Sequence, residues 1–205
     1  TRLEQKIVNE FDQQRDLTPA HSTLAALPID LYWTTNYDNL LESALQAGGH
    51  HVDVKSAEGA LTTTKPGTDA TVHKLHGDLS DPGNIVITRD DYEEYVEKRA
   101  DYRNRLQSDL TSRTFVFVGF SFADPHLSFI LSELRRMHRK SPRTHYVLMR
   151  REAVSDYGDD AAAHGYAANR QAIQVADLKR YGIQTVLVDD YAEIPELLEA
   201  LRKRY

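Results

Sequence analysis

Apolar positions recur at three- and four-residue spacing in "LEQKIVNEFDQ", residues 3–13, where Leu3, Ile7, Val8 and Phe11 share one helical face. Thr18 stands where it would cap a second helix, "PAHSTLAAL", which Pro28 helps stop. "IDLYWTTN" is rich in strand-forming residues, and "YDNLLESALQAGG" returns to a helical pattern ended by Gly48–Gly49. "HHVDV" predicts a short strand, residues 56–70 a loop, "TVHKLHG" a strand, "DLSDPGN" a turn and "IVIT" another short strand. "RDDYEEYVEKRADYRNRLQSDL" predicts one long charged helix with Tyr92, Tyr95, Val96, Leu106 and Leu110 turned inward. "TFVFVGF" is the most apolar strand and reads as one buried on both faces. The helix "DPHLSFILSELRRMHR" follows, with Asp124 as its cap and Pro125 in its first turn. Then come a strand, "THYVLMR", a loop or lid leading into a helix over residues 152–170, a last strand, "QTVLVDD", and a closing helix, "AEIPELLEALRKRY". Strands near 31, 72, 115, 145 and 184, separated mainly by helices, predict an α/β fold with a largely parallel sheet. No repeat, low-complexity tract or clean domain boundary breaks the chain, so residues 1–205 read as a single domain.

In an open parallel sheet, ligands bind beyond the carboxyl ends of the strands. Three strands here end in unusual chemistry: Thr34–Thr35–Asn36–Tyr37–Asp38, His76–Gly77–Asp78, and Gly119–Phe120–Ser121 followed by Asp124–Pro125–His126. Each has a plain structural alternative. Asn36 and Asp38 can cap a helix, His76 can be a hydrogen-bonded core histidine, and Gly119 to Ser121 can be an ordinary strand-to-helix turn. Three such clusters on one edge of a parallel sheet would converge on one ligand.

Composition narrows the chemistry. The formal net charge of −6 argues against a nucleic-acid binder, which carries a basic face. The one dense basic stretch, Arg135 to Lys140, ends a predicted helix, where cations suit the helix dipole and water; an anion-binding patch is the alternative. With no cysteine there is no disulfide, no cysteine nucleophile and no cysteine-ligated zinc, which fits a cytoplasmic setting. No apolar run approaches the roughly 20 residues that span a bilayer, and residues 1–15 are too polar for a signal peptide. The adjacent His50 and His51 cannot easily turn both rings to one ion from a strand, so no metal site is expected.

"TTNYD", "HKLHGD" and "VFVGFSFADPHL", in this order, resemble the SIR2-like, sirtuin-related family, and within it the bacterial NAD-hydrolase branch. The resemblance runs from about residue 20 to the C-terminus. It implies a Rossmann-like sheet with helices on both faces and a crevice for NAD as substrate. By similarity, Asn36 positions the attacking water and contacts the nicotinamide ribose, Asp38 orders that site, and His76 is the general base. Thr34, Thr35 and Gly77 bind NAD, Gly119 and Ser121 line the ribose and phosphate region, and Asp190 and Tyr191 approach the adenosine end. Chemistry agrees with those residue types. Cleavage of the nicotinamide–ribose bond passes through an oxocarbenium-like centre and needs one positioned nucleophile with bulk water excluded. An amide can hold water without competing as a nucleophile, and an imidazole titrates near neutral pH.

Two departures from the family pattern bear on function. No glycine precedes Gly48, so the family's first strand and glycine-rich phosphate loop are missing, and the chain is expected to be a piece of a longer protein. The four-cysteine zinc ribbon of sirtuin deacylases is also missing, which disfavours protein deacylation. The leading expectation is therefore an NAD hydrolase releasing nicotinamide and ADP-ribose. By family resemblance it would be an antiphage defence effector that works as a homo-oligomer or with a sensor domain or partner. The alternative is a non-catalytic NAD- or ADP-ribose-binding or assembly module. A deacylase with a different groove stands third.

Overall fold

The computed structural model of the protein describes residues 6, 15–57, 59–122, 125–137, 143–158 and 160–204. Of the helix predicted over 3–13 only Lys6 is described, and it is helical; Asp124 lies outside the described residues. The helices are α1 (Pro19–Ala25), α2 (Leu40–Ala47), α3 (Arg89–Lys98), α4 (Ala100–Ser112), α5 (Pro125–Met137), α6 (Ala161–Arg180) and α7 (Glu193–Arg202). The strands are β1 (Leu31–Thr34), β2 (Val52–Lys55), β3 (Ala70–Lys74), β4 (Val116–Val118), β5 (His145–Arg150) and β6 (Ile183–Val188). The chain divides into two compact units. One runs to Arg103 and takes in the chain from Pro195; the other is Asn104–Ile194.

In the first unit β3 lies between β1 and β2, parallel to both. The register sets Thr34 against Lys74 at one end of the β1–β3 pair. Tyr32, Ala70 and Val72 bury their side chains against Ala25 of α1 and Ala44 and Leu45 of α2, with Leu41 and Val52 packed on the margin. Fully burying a side chain such as Leu45 or Val72 contributes about 1.5–3 kcal/mol. Gly49, at φ 90°, ends α2, and the N–H of His50 returns to the carbonyl of Leu45.

In the second unit β4, β5 and β6 are parallel in that order, joined by α5 and α6 as successive strand–helix–strand crossovers. Val147 and Ile183 are wholly buried in the sheet, and Leu127, Ile130 and Leu131 give α5 its buried face.

Three predicted elements differ. "TFVFVGF" supplies only a three-residue edge strand, and Val116 is 40% exposed, so it is not buried on both faces. "IVIT" is not a strand. Ile85 and Val86 are buried as irregular chain, with the N–H of Val86 bonded to the carbonyl of His76 instead of a ladder. The long charged helix is two helices. Arg99 leaves helical geometry at φ −123°, ψ 26°, and its buried guanidinium donates to the carbonyls of Ser56 at 2.5 Å and Asn84 at 2.9 Å. Tyr95, Leu106 and Leu110 are buried as predicted, while the side chain of Val96 lies outside the described set. Among the described residues no helix is long and apolar enough to cross a membrane.

Candidate active site

Parallel pairing of β1 with β3 delivers two of the three polar clusters to neighbouring strand ends in the first unit. After β1, the hydroxyl of Thr34 accepts the N–H of Asn36 at 3.0 Å, and Thr35 is half-buried between them. The side chain of Asn36 is exposed. Asp38 accepts the N–H of Leu40 through Oδ1 at 3.1 Å, so it does serve the start of α2, while Asn39 holds the N-cap position itself. The hydroxyl of Tyr37 donates to the carbonyl of Val86 at 2.7 Å, tying this loop to the segment after the second cluster.

After β3 the chain turns sharply. His76 is 5% exposed, and its ring meets Tyr92 and Tyr95 edge-on at centroid distances of 5.7 and 6.1 Å. The hydroxyl of Tyr95 donates to the carbonyl of Leu75 at 3.3 Å, which fixes the turn from behind. Gly77 takes φ 90° next to the carbonyl of Asn84, a place where only glycine fits. Burial alone would raise the Asp78 carboxyl, but hydrogen bonds from Lys74 and Ser80 and the charge of Lys74 outweigh it and hold its pKa below the ordinary carboxylate value.

Lys74 is the residue that the sequence reading passed over. Its side chain is wholly buried, and its ammonium lies 3.0 Å from Glu42 and 2.5 Å from Asp78. It also donates to the carbonyls of Tyr37 and Asp38. The available signal was a lysine at the end of the strand that leads directly into His76–Gly77–Asp78.

The third cluster belongs to the second unit. There Gly119 and Ser121 line an open cleft of about 1020 Å³ with Tyr191, so three predicted binding residues from distant parts of the chain share one wall system. Gly119 and Phe122 both have positive φ, at 65° and 58°. A phenylalanine held in the left-handed region marks strain of a kind that clusters at functional sites. Phe122 is fixed there by Phe117 and Phe120, at centroid distances of 5.0 and 5.2 Å. Arg150, Arg170 and Gln174 also line the cleft, which gives it cationic and amide donors for an anionic, partly aromatic ligand. Gln174 donates to the carbonyl of Ser121 at 3.1 Å. Arg150 lies 5.8 Å from the ring centroid of Tyr191 and pairs with Asp156 at 2.6 Å. Asp190 caps the turn beneath Tyr191, accepting the N–H of Ala192 at 2.7 Å.

His50 is a structural residue. Its Nε2 donates to the carbonyl of Ala25 at 2.9 Å, and its Nδ1 is 3.3 Å from Asp69. Among the described residues no group of three or more His, Cys, Asp or Glu side chains could hold a metal ion.

A family model described as the SIR2-like domain matches residues 30–186. The chain is 40% identical to the "NAD(+) hydrolase ThsA" of Enterococcus faecium, over 99% of this chain and 44% of that protein. It is 42% identical to the "NAD(+) hydrolase ThsA" of Bacillus cereus (strain MSX-D12), over 98% of this chain and 42% of that protein. It is 27% identical to "Defense-associated sirtuin 2" of Bacillus subtilis, over 64% of this chain and 13% of that protein. The chain thus spans less than half the length of these relatives. Both polar clusters of the first unit, and all but the last two residues of β6 in the second, fall inside the matched span: the chain belongs to the SIR2-like domain family.

Proposed function

We propose that the chain carries the catalytic part of an NAD hydrolase. The observation that carries this reading is the pairing of β1 with β3, which brings the Asn36 loop and the His76 turn out on adjacent parallel strands and holds both against one buried ammonium. The names of the relatives support it.

The chemistry assigned to the first unit is as follows. The pyridinium nitrogen of NAD withdraws the electron pair of the C1′–N bond and departs as neutral nicotinamide. Asn36 orients a water, its oxygen adds to the electron-poor C1′, and the proton goes to His76. The products are nicotinamide and ADP-ribose. A positioned base of this kind contributes about 10²–10⁴-fold. Asp38 holds the loop that carries Asn36, and Thr34 holds the backbone of Asn36 itself. Thr35 and Gly77 complete the ribose-facing loops. The cleft of the second unit is assigned the adenosine diphosphate half, with Gly119 and Ser121 beside phosphate, Arg170 as its cation and Tyr191 as a stacking surface. Asp190 supports Tyr191 from the turn.

The length of the relatives beyond the matched part, and the defence role in one of their names, support a wider assignment. The activity serves antiphage defence in the cytoplasm and is released by assembly into a homo-oligomer or by a sensor domain or partner. The test is nicotinamide release from NAD by the full-length protein, with His76→Ala and Asn36→Ala beside it. Release that disappears in both variants upholds the reading. Tight NAD binding with no release under any trigger would favour a non-catalytic binding module. Neither binding nor release would end the proposal.

A further inference from the structure

Lysine is almost never fully buried unless it is paired, and Lys74 is wholly buried. Its ammonium has three protons and four oxygens around it. Two are backbone carbonyls, of Tyr37 at 3.0 Å and Asp38 at 2.5 Å. Two are carboxylate oxygens, of Asp78 at 2.5 Å and Glu42 at 3.0 Å. The contact to Glu42 is an ion pair without the alignment of a hydrogen bond, which leaves the three protons for the carbonyls and Asp78.

A buried ion pair is weak evidence for stability, because desolvation offsets the attraction. What the ammonium provides that an apolar residue of the same shape cannot is a common donor for two loops. Tyr37 and Asp38 directly follow Asn36, and Asp78 is two residues after His76. We propose that Lys74 is a positioning residue whose ammonium fixes the Asn36 loop and the His76 turn in one mutual geometry, with Asp78 as its charge partner and Glu42 beside it. The cleavage role of that geometry rests on the NAD-hydrolase reading above; the ordering of the two loops does not.

The order of contacts says why a lysine is used. The two carbonyls point inward because β1 ends at Thr34, whose own carbonyl is taken by the N–H of Leu75. Beyond Thr34 the chain leaves the ladder, and the carbonyls of Tyr37, which also accepts the N–H of Leu79 at 3.2 Å, and of Asp38 take the ammonium that reaches across from β3. The flexible four-carbon stem of lysine delivers a compact charge to that point.

The test uses the full-length protein with NAD, comparing wild type, Lys74→Met, and the triple variant Lys74→Met, Glu42→Gln, Asp78→Asn. The triple variant keeps volume and removes the buried charges, so it folds where the single variant fails. Nicotinamide release is measured for kcat and KM, and amide hydrogen exchange is followed over residues 36–40 and 76–80, with β5 as the reference. We expect the triple variant to lose about 100-fold in kcat, the scale of a misplaced catalytic group, with KM within about threefold. Exchange in both loops should quicken by about tenfold while β5 is unchanged. Wild-type exchange or wild-type kcat in the triple variant would overturn the inference, and so would its global unfolding, which would make Lys74 a general structural residue. If wild type releases no nicotinamide under any trigger, the hydrolase reading fails, and exchange alone decides whether Lys74 orders the two loops.

Discussion

Gly77 shows how little freedom the His76 turn has. A β-carbon there would sit 2.7 Å from the carbonyl oxygen of Asn84 and 3.2 Å from the Cα of Ile85, at φ 90°. Both neighbours are backbone, so they cannot swing aside. Gly77→Ala is expected to destabilise the protein by about 2–4 kcal/mol, from left-handed strain together with overpacking. Urea unfolding would report this as a lowered midpoint with the slope kept, and an unchanged midpoint would refute the geometry of the turn. That His76, Asn36 and Asp38 follow the ends of strands was legible in the sequence, because polar groups stand out where an apolar strand pattern stops. Lys74 was not. A lysine in an alternating strand reads as a solvated position, and its burial is decided by Glu42, which arrives from another element. Glu42 was hidden for the same reason, since an acidic residue in the first turn of a helix already has a local explanation in the helix dipole.

Strand β5 begins at a titrating group. His145 is 3% exposed, its ring stands edge-on to Phe115, and its Nδ1 accepts the N–H of Phe115 at 3.2 Å, which requires that nitrogen to be unprotonated. Burial, and then the charge of Arg143, push its pKa down to about 4. The unfolded chain, with histidine near 6.5, takes up a proton that the folded chain refuses between these values. Stability is therefore full above about pH 6.5 and falls as the pH drops toward 4, by about 2–3 kcal/mol in all. His145→Asn keeps an acceptor near the Nδ1 position without the titration. Denaturant midpoints measured from pH 7 to 4 should drop more steeply in wild type than in the variant, and parallel curves would rule out His145 as the cause. At this scale the sequence predicted α5 and the closing helix α7 well, because periodic segments declare themselves, whereas α6 runs ten residues beyond the segment read as a loop or lid leading into a helix. It failed where tertiary contacts break a pattern. Arg99 interrupts the charged helix in order to donate to two loop carbonyls, and Val86 leaves strand geometry in order to bond to the His76 turn.

Across the whole molecule the predicted site residues sort by unit, and so does the chemistry assigned to them. Asn36, Asp38, His76, Thr34, Thr35 and Gly77 belong to the first unit, and Gly119, Ser121, Asp190 and Tyr191 to the second. The alternation of strands and helices made the α/β class readable, but it could not divide the parallel strands of the described residues into two sheets, because that division depends on which edges pair. Nor could it find Arg170, which sits on α6 in a stretch read as a loop or lid leading into a helix and reaches the cleft because α6 forms its wall. The assignment of phosphate recognition to that cleft makes a kinetic prediction. A hydrogen bond from a charged donor to phosphate contributes about 1.5 kcal/mol or more, so Arg170→Gln should raise KM for NAD by about tenfold. Its kcat should stay within about twofold, because the group acts equally on bound substrate and transition state. His76→Gln should do the reverse, lowering kcat by about 10²-fold or more with KM little changed. Steady-state nicotinamide release across a range of NAD concentrations separates the two. A loss of kcat in Arg170→Gln with KM unchanged would detach the cleft from substrate binding and leave the first unit's loops to account for recognition as well as chemistry.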